Sequence, residues 1–79
     1  MRVAESVKVN NALYEEHIYK LNNGYVVTFV EFAEMEDGVI VEEVHVETPK
    51  GKKVKPDTWL YKSAVRTVEI FANPTRSKL

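Results

Sequence analysis

Two glycine turns, Asn22-Asn23-Gly24 and Asp37-Gly38, separate runs of β-forming residues, and an antiparallel meander accommodates them with the fewest assumptions. Asp-Gly is a strong hairpin signal, because both central residues of a type I′ turn need positive φ. Before it, Tyr25–Met35 is rich in β-branched and aromatic residues. After it, Val39–Thr48 alternates valines with glutamates and reads as the returning strand. Tyr14–Leu21 is a third strand, joined to Tyr25 by a three-residue loop with Gly24 in the left-handed region. A first strand is expected where Val3, Val7 and Val9 share a parity, with Asn10-Asn11 turning the chain.

Side chains alternate across a strand, so the turns also fix the faces. A two-residue turn at Asp37-Gly38 puts Tyr25, Val27, Phe29, Ala33 and Met35 on one face with Ile40, Val44 and Val46. The loop at Asn22–Gly24 adds Leu13, Tyr19 and Leu21 to this face, which is the better core. The other face carries Glu16, Ile18, Val26, Thr28, Val30, Phe32, Glu34, Val41, Glu43, His45 and Glu47. A three-residue loop at Glu36–Gly38 is disfavoured, because it sets Glu31 opposite Glu43, and like charges directly across a ladder destabilise it.

Thr48-Pro49-Lys50-Gly51 forms a turn, and a lysine-rich connection leads to Pro56. Asp57 or Thr58 can cap a helix there. Leu60, Tyr61, Ala64, Val65, Val68, Phe71 and Ala72 recur at helical spacing, and Lys62, Arg66 and Glu69 lie opposite. The β-branched residues Val65, Thr67, Val68 and Ile70 argue for a strand over 64–71, and the periodicity outweighs them. Pro74 ends the helix, and residues 74–79 read as a frayed tail. The expected fold is α+β: an antiparallel meander of three to four strands with one C-terminal helix packed on one face. All 79 residues form one small domain.

One helix covers one face. The other keeps Val26, Val30, Phe32 and Val41, and contiguous apolar surface of this kind usually marks an interface. The expectation is a homodimer or a protein partner docked on the sheet, unless the N-terminal segment folds over it. Charge gives this face a sign. Residues 14–47 hold nine acids against one base, and residues 48–79 hold eight bases against two acids, although the chain as a whole carries only −1. Glutamates rowed among apolar residues can meet a basic surface, charge supplying specificity and on-rate and apolar contact supplying affinity. The expected partner-binding residues are Val30, Phe32, Glu34, Val41, Glu43 and Glu47.

Chemistry is sparse. With no cysteine there is no thiolate and no cysteine-based metal site. His17 and His45 fall on opposite faces and cannot share a metal, and zinc wants three or four ligands. Glu15-Glu16 and Glu42-Glu43 each split across the sheet. All three glycines read as turns, so no phosphate-cradling loop is expected. The expectation is a non-enzymatic protein without metal or cofactor. No run is long and apolar enough for a membrane helix, and Met1–Val9 lacks the apolar core of a signal peptide. The lack of cysteine fits a reducing cytoplasm. The alternative partner is nucleic acid: Lys50, Lys52, Lys53 and Lys55 can contact phosphates, with Trp59 stacking on unpaired bases and Arg66 nearby.

The stretch Tyr19-Lys20-Leu21-Asn22-Asn23-Gly24-Tyr25-Val26-Val27, a hairpin and a short amphipathic helix together resemble small accessory proteins of phages and archaeal viruses. That resemblance implies a dimer that binds and inhibits a host factor in the host cytoplasm. Gly51–Arg66 is similar to the basic loop entering the helix of single-strand-binding transcriptional coactivators, which have a four-stranded sheet and one helix. Their sheet is basic where this one is acidic.

Overall fold

The computed structural model describes residues 1–32 and 42–72. The strands form where alternation and turn chemistry place them: β1 Val3–Asn10, β2 Tyr14–Leu21, β3 Val26–Phe32 and β4 Glu42–Glu47. They make one antiparallel sheet in the order β1-β2-β3-β4, and the helix α1, Trp59–Ala72, packs on one face. The fold is α+β. The expected tail at 74–79 lies outside the described residues.

The loops carry local reasons for their shape. Leu21 N donates to Tyr25 O at 2.8 Å, Gly24 N donates to Leu21 O at 3.0 Å, and Gly24 has φ +91°. This is the three-residue loop with a left-handed glycine. A Cβ on Gly24 would sit 2.9 Å from Pro49 Cγ, so the loop is closed against the turn that follows β4. Gly24→Ala is expected to lower stability by about 1–3 kcal/mol through backbone strain, with overlap at Pro49 added, and urea unfolding measures it. Between β1 and β2, Asn11 Oδ1 accepts from Leu13 N at 2.8 Å and Tyr14 N at 3.0 Å, an asparagine turn. Leu13 therefore sits at a loop tip, 72% exposed, and does not join the core as its parity suggested.

Two registers differ from expectation. Val3 pairs with Leu21 but Glu5 pairs with Lys20, so a bulge falls at Ala4. Val3 turns to the helix side while Val7 and Val9 turn to the other; equal parity did not keep them together. Between β3 and β4, Val27 faces Val46 and Phe29 faces Val44. A two-residue turn at Asp37-Gly38 would pair Val27 with Thr48. The difference is two residues, an even number, so every described side chain keeps its expected face. Ala33, Glu34, Met35, Ile40, Val41 and the turn itself lie outside the described residues.

Thr58 caps α1. Its Oγ1 accepts from Tyr61 N at 3.3 Å and donates to Lys55 O at 2.7 Å. Ala64 and Val68 are fully buried against Val27, Val46 and Leu21, with Tyr61 and Val65 partly buried beside them. Leu60 and Phe71, at the margins of the stripe, stay exposed, although Phe71 still meets the Tyr19 ring edge-on at 6.2 Å between centroids. Tyr61 Oη donates to Val44 O at 3.4 Å and ties the helix to β4.

Candidate functional site

The face away from the helix is bare among the described residues. The N-terminal segment does not fold over it, because β1 lies in the plane of the sheet as its edge strand. Pairing in register builds the surface. Glu16 faces Val30, which faces Glu43; Ile18 faces Thr28, which faces His45; Lys20 faces Val26, which faces Glu47. Tyr14 closes one end against Phe32, their rings tilted by 56° at 6.0 Å. On β1, Val7 pairs with Ile18 and Val9 with Glu16, and both valines are exposed, at 44% and 42%. The result is an apolar floor with an acidic border.

A trough of about 530 Å³ runs over Ile18, Val26, Thr28, Val30 and Phe32, bordered by Glu16, Glu43 and Glu47. Val30 is only 7% exposed, with Glu16 and Glu43 flanking it from the neighbouring strands. Among the described residues, four carboxylates belong to this side: Glu5, Glu16, Glu43 and Glu47. Glu5 meets Lys20 at 3.8 Å, and Glu43 Oε2 meets His45 Nε2 at 3.2 Å. Of the expected partner-binding residues, the structure brings Val30, Phe32, Glu43 and Glu47 together. Glu34 and Val41 lie outside the described residues.

The lysine-rich connection does not stand apart. Thr48 N donates to Lys52 O at 2.8 Å, Val54 N donates to Val46 O at 2.8 Å, and Lys53 pairs with Glu47. The segment thus runs back along the outer edge of β4 and delivers Lys53 to the acidic trough. Lys50, Lys52 and Lys55 are exposed around it. Trp59 is 75% exposed at the start of α1. Arg66 follows seven residues later, on the same helical stripe and roughly 10 Å along the axis. That stripe points away from the sheet. The basic set is therefore divided between the trough, an edge and the outer side of the helix.

The helix side holds a cluster that the sequence reading did not assemble. Glu15 pairs with Glu31, and Glu31 with Glu42, so three carboxylates line up across β2, β3 and β4. His17 lies two residues along β2 from Glu15, its Nε2 at 3.6 Å from Glu15 Oε2, and Lys8 Nζ approaches the same oxygen at 3.7 Å. The two histidines lie on opposite faces, and each meets a glutamate two residues away on its own strand. The signal was in the alternation: Glu15, His17 and Glu31 share the parity of the core face.

Comparison with protein-family models, with curated proteins and with solved structures found no match for the chain. Geometry defines the class, an open-faced antiparallel sheet backed by one helix.

Proposed function

We propose that the chain is a non-enzymatic interaction protein that docks a protein partner on the open, acidic-apolar face of its sheet. The observation carrying this is the uncovered apolar floor of Ile18, Val26, Val30 and Phe32 inside a border of glutamates. Apolar area of this kind favours association, and among the described residues the carboxylates of Glu5, Glu16, Glu43 and Glu47 outnumber Lys20 and Lys53 and select a basic surface. A second copy presents the same acidic border, so face-to-face self-pairing opposes like charges; a basic heterologous partner does not. No helix among the described residues is long and apolar enough to cross a membrane. Inhibition of the partner by occupying its basic surface is the proposed consequence, in a cytoplasmic setting.

The test uses purified components. A partner retained by the wild-type chain and by Arg66→Ala, and released by Phe32→Asp, places the contact on the sheet. Retention by Phe32→Asp and release by Arg66→Ala overturns the reading. Sedimentation of the free chain addresses the other occupant: a dimer broken by Phe32→Asp would give the face to a second copy.

Nucleic acid is the second reading, favoured by the exposure of Trp59 on one stripe with Lys62 and Arg66. It has a simple check. Trp59 fluorescence is expected to stay unchanged on titration with single-stranded and duplex oligonucleotides, even at low salt. Saturable quenching that weakens as salt rises would transfer the function to the basic residues.

A further inference from the structure

We propose that Glu15, His17 and Glu31 bind a divalent transition-metal ion of the zinc type, on the helix side of the sheet and independently of the docking face. The ligating atoms of the three residues all lie within 4.8 Å of one another. Two adjacent hydrogen-bonded strands hold them: Glu15 and His17 share one face of β2, and Glu31 stands directly opposite Glu15 on β3. Donors bound at about 2 Å to one ion lie about 3–3.5 Å apart, and rotation about terminal side-chain torsions covers the difference. One imidazole nitrogen with carboxylate oxygens suits zinc and its neighbours rather than magnesium or calcium, which prefer oxygen alone.

The surroundings point the same way. A cleft of about 400 Å³ opens beside the three residues, with His17 and Glu31 in its wall, and Glu42 and Glu69 join them from β4 and α1. Tyr19, Phe29, Val68 and Ala72 form its apolar part. Three ligands leave at least one coordination position facing this cleft, for water or for Glu42. The direct pairs Glu15–Glu31 and Glu31–Glu42 set like charges across the ladder, a destabilising arrangement that a divalent cation reverses. Lys8 is the resident counter-charge at Glu15, on a half-exposed side chain free to swing away when a stronger cation arrives.

The test is titration of the whole chain with ZnCl₂ by calorimetry, and with CoCl₂ by visible absorption, whose bands report coordination by the protein. The expected result is one ion per chain, unaffected by excess magnesium. His17→Ala and Glu31→Gln should weaken it at least as much as the tenfold or more known for outer-sphere partners. Lys8→Gln should tighten it. The pair His45 and Glu43, on the other face, is the internal control, and His45→Ala should change nothing. Glu31→Gln carries a readout that misfolding cannot imitate: its melting temperature should exceed wild type without metal and fall below it with saturating zinc. No binding, binding that survives His17→Ala, or equal loss in His45→Ala would overturn the assignment.

Discussion

Val68→Asp is expected to leave the chain without a cooperative unfolding transition at 25 °C, while Ile70→Asp, two residues on, folds nearly as the wild type does. Val68 has no exposed surface and packs with Ala64 on Val27, Val46 and Leu21. The substitution removes about 1.5–3 kcal/mol of apolar burial. It also forces a carboxylate into the apolar cluster of Leu21, Val27, Val46 and Ala64, which costs several kcal/mol more. Folded domains hold only about 5–15 kcal/mol in reserve, and one of this size sits at the low end. Ile70 is half exposed, so its replacement should fall within about 0.5 kcal/mol of neutral. The contrast depends on helical geometry. In a strand, residues 68 and 70 would share a face and both changes would act alike. Thermal unfolding followed by circular dichroism decides it.

The second large effect is expected at Phe32. Phe32→Asp should leave the fold intact and weaken partner binding by at least about thirtyfold, a loss of ~2 kcal/mol or more typical of a buried aromatic anchor. Phe32 is half-buried against Tyr14 at one end of the trough, on the face opposite the helix. Its neighbour on the same floor is Val30. Charge should act differently there. Glu43→Lys with Glu47→Lys is expected to slow association and flatten its salt dependence, with a smaller effect on dissociation, because border charges mainly steer encounter. Surface plasmon resonance at two salt concentrations separates these outcomes. Equal dissociation rates for wild type and Phe32→Asp would remove the apolar anchor from the account.

Much of this was legible in the chain because its turns are explicit. Gly24 specified its loop, and the loop specified which residues of β2 and β3 share a face. The helix followed from the spacing of Tyr61, Ala64, Val65 and Val68, against the β-branched character of Val65, Thr67 and Val68. What alternation cannot carry is an extra residue. The bulge at Ala4 reversed Val3 relative to Val7 and Val9, and only pairing with β2 reveals it. A shift of two residues between β3 and β4 was equally silent, since it preserves the faces while changing the partners. It set Glu31 opposite Glu42, a like-charge pair of the kind that had argued against another register. Local charge cost was too small to exclude the pairing, and burial does not distinguish the two registers, since both keep Val27, Val44 and Val46 on the core face. The trough was legible in outline, through the parity of Glu16, Val30, Phe32, Glu43 and Glu47. The entry of Lys53 into it was not, because that depends on a connection folding back along β4.

The central proposal is that the sheet has one face closed by the helix and one that docks a basic, apolar partner. Amide chemical shifts of the ¹⁵N-labelled chain test it most directly. The titrant is an amphipathic helical peptide with leucines at i, i+3, i+4 and i+7 flanked by lysines, with a glutamate-flanked counterpart for comparison. The account predicts saturable shifts at Ile18, Val26, Thr28, Val30 and Phe32 with the lysine peptide, and none with the glutamate peptide. Shifts centred on α1, or equal shifts with both peptides, or no shifts at all, would contradict it.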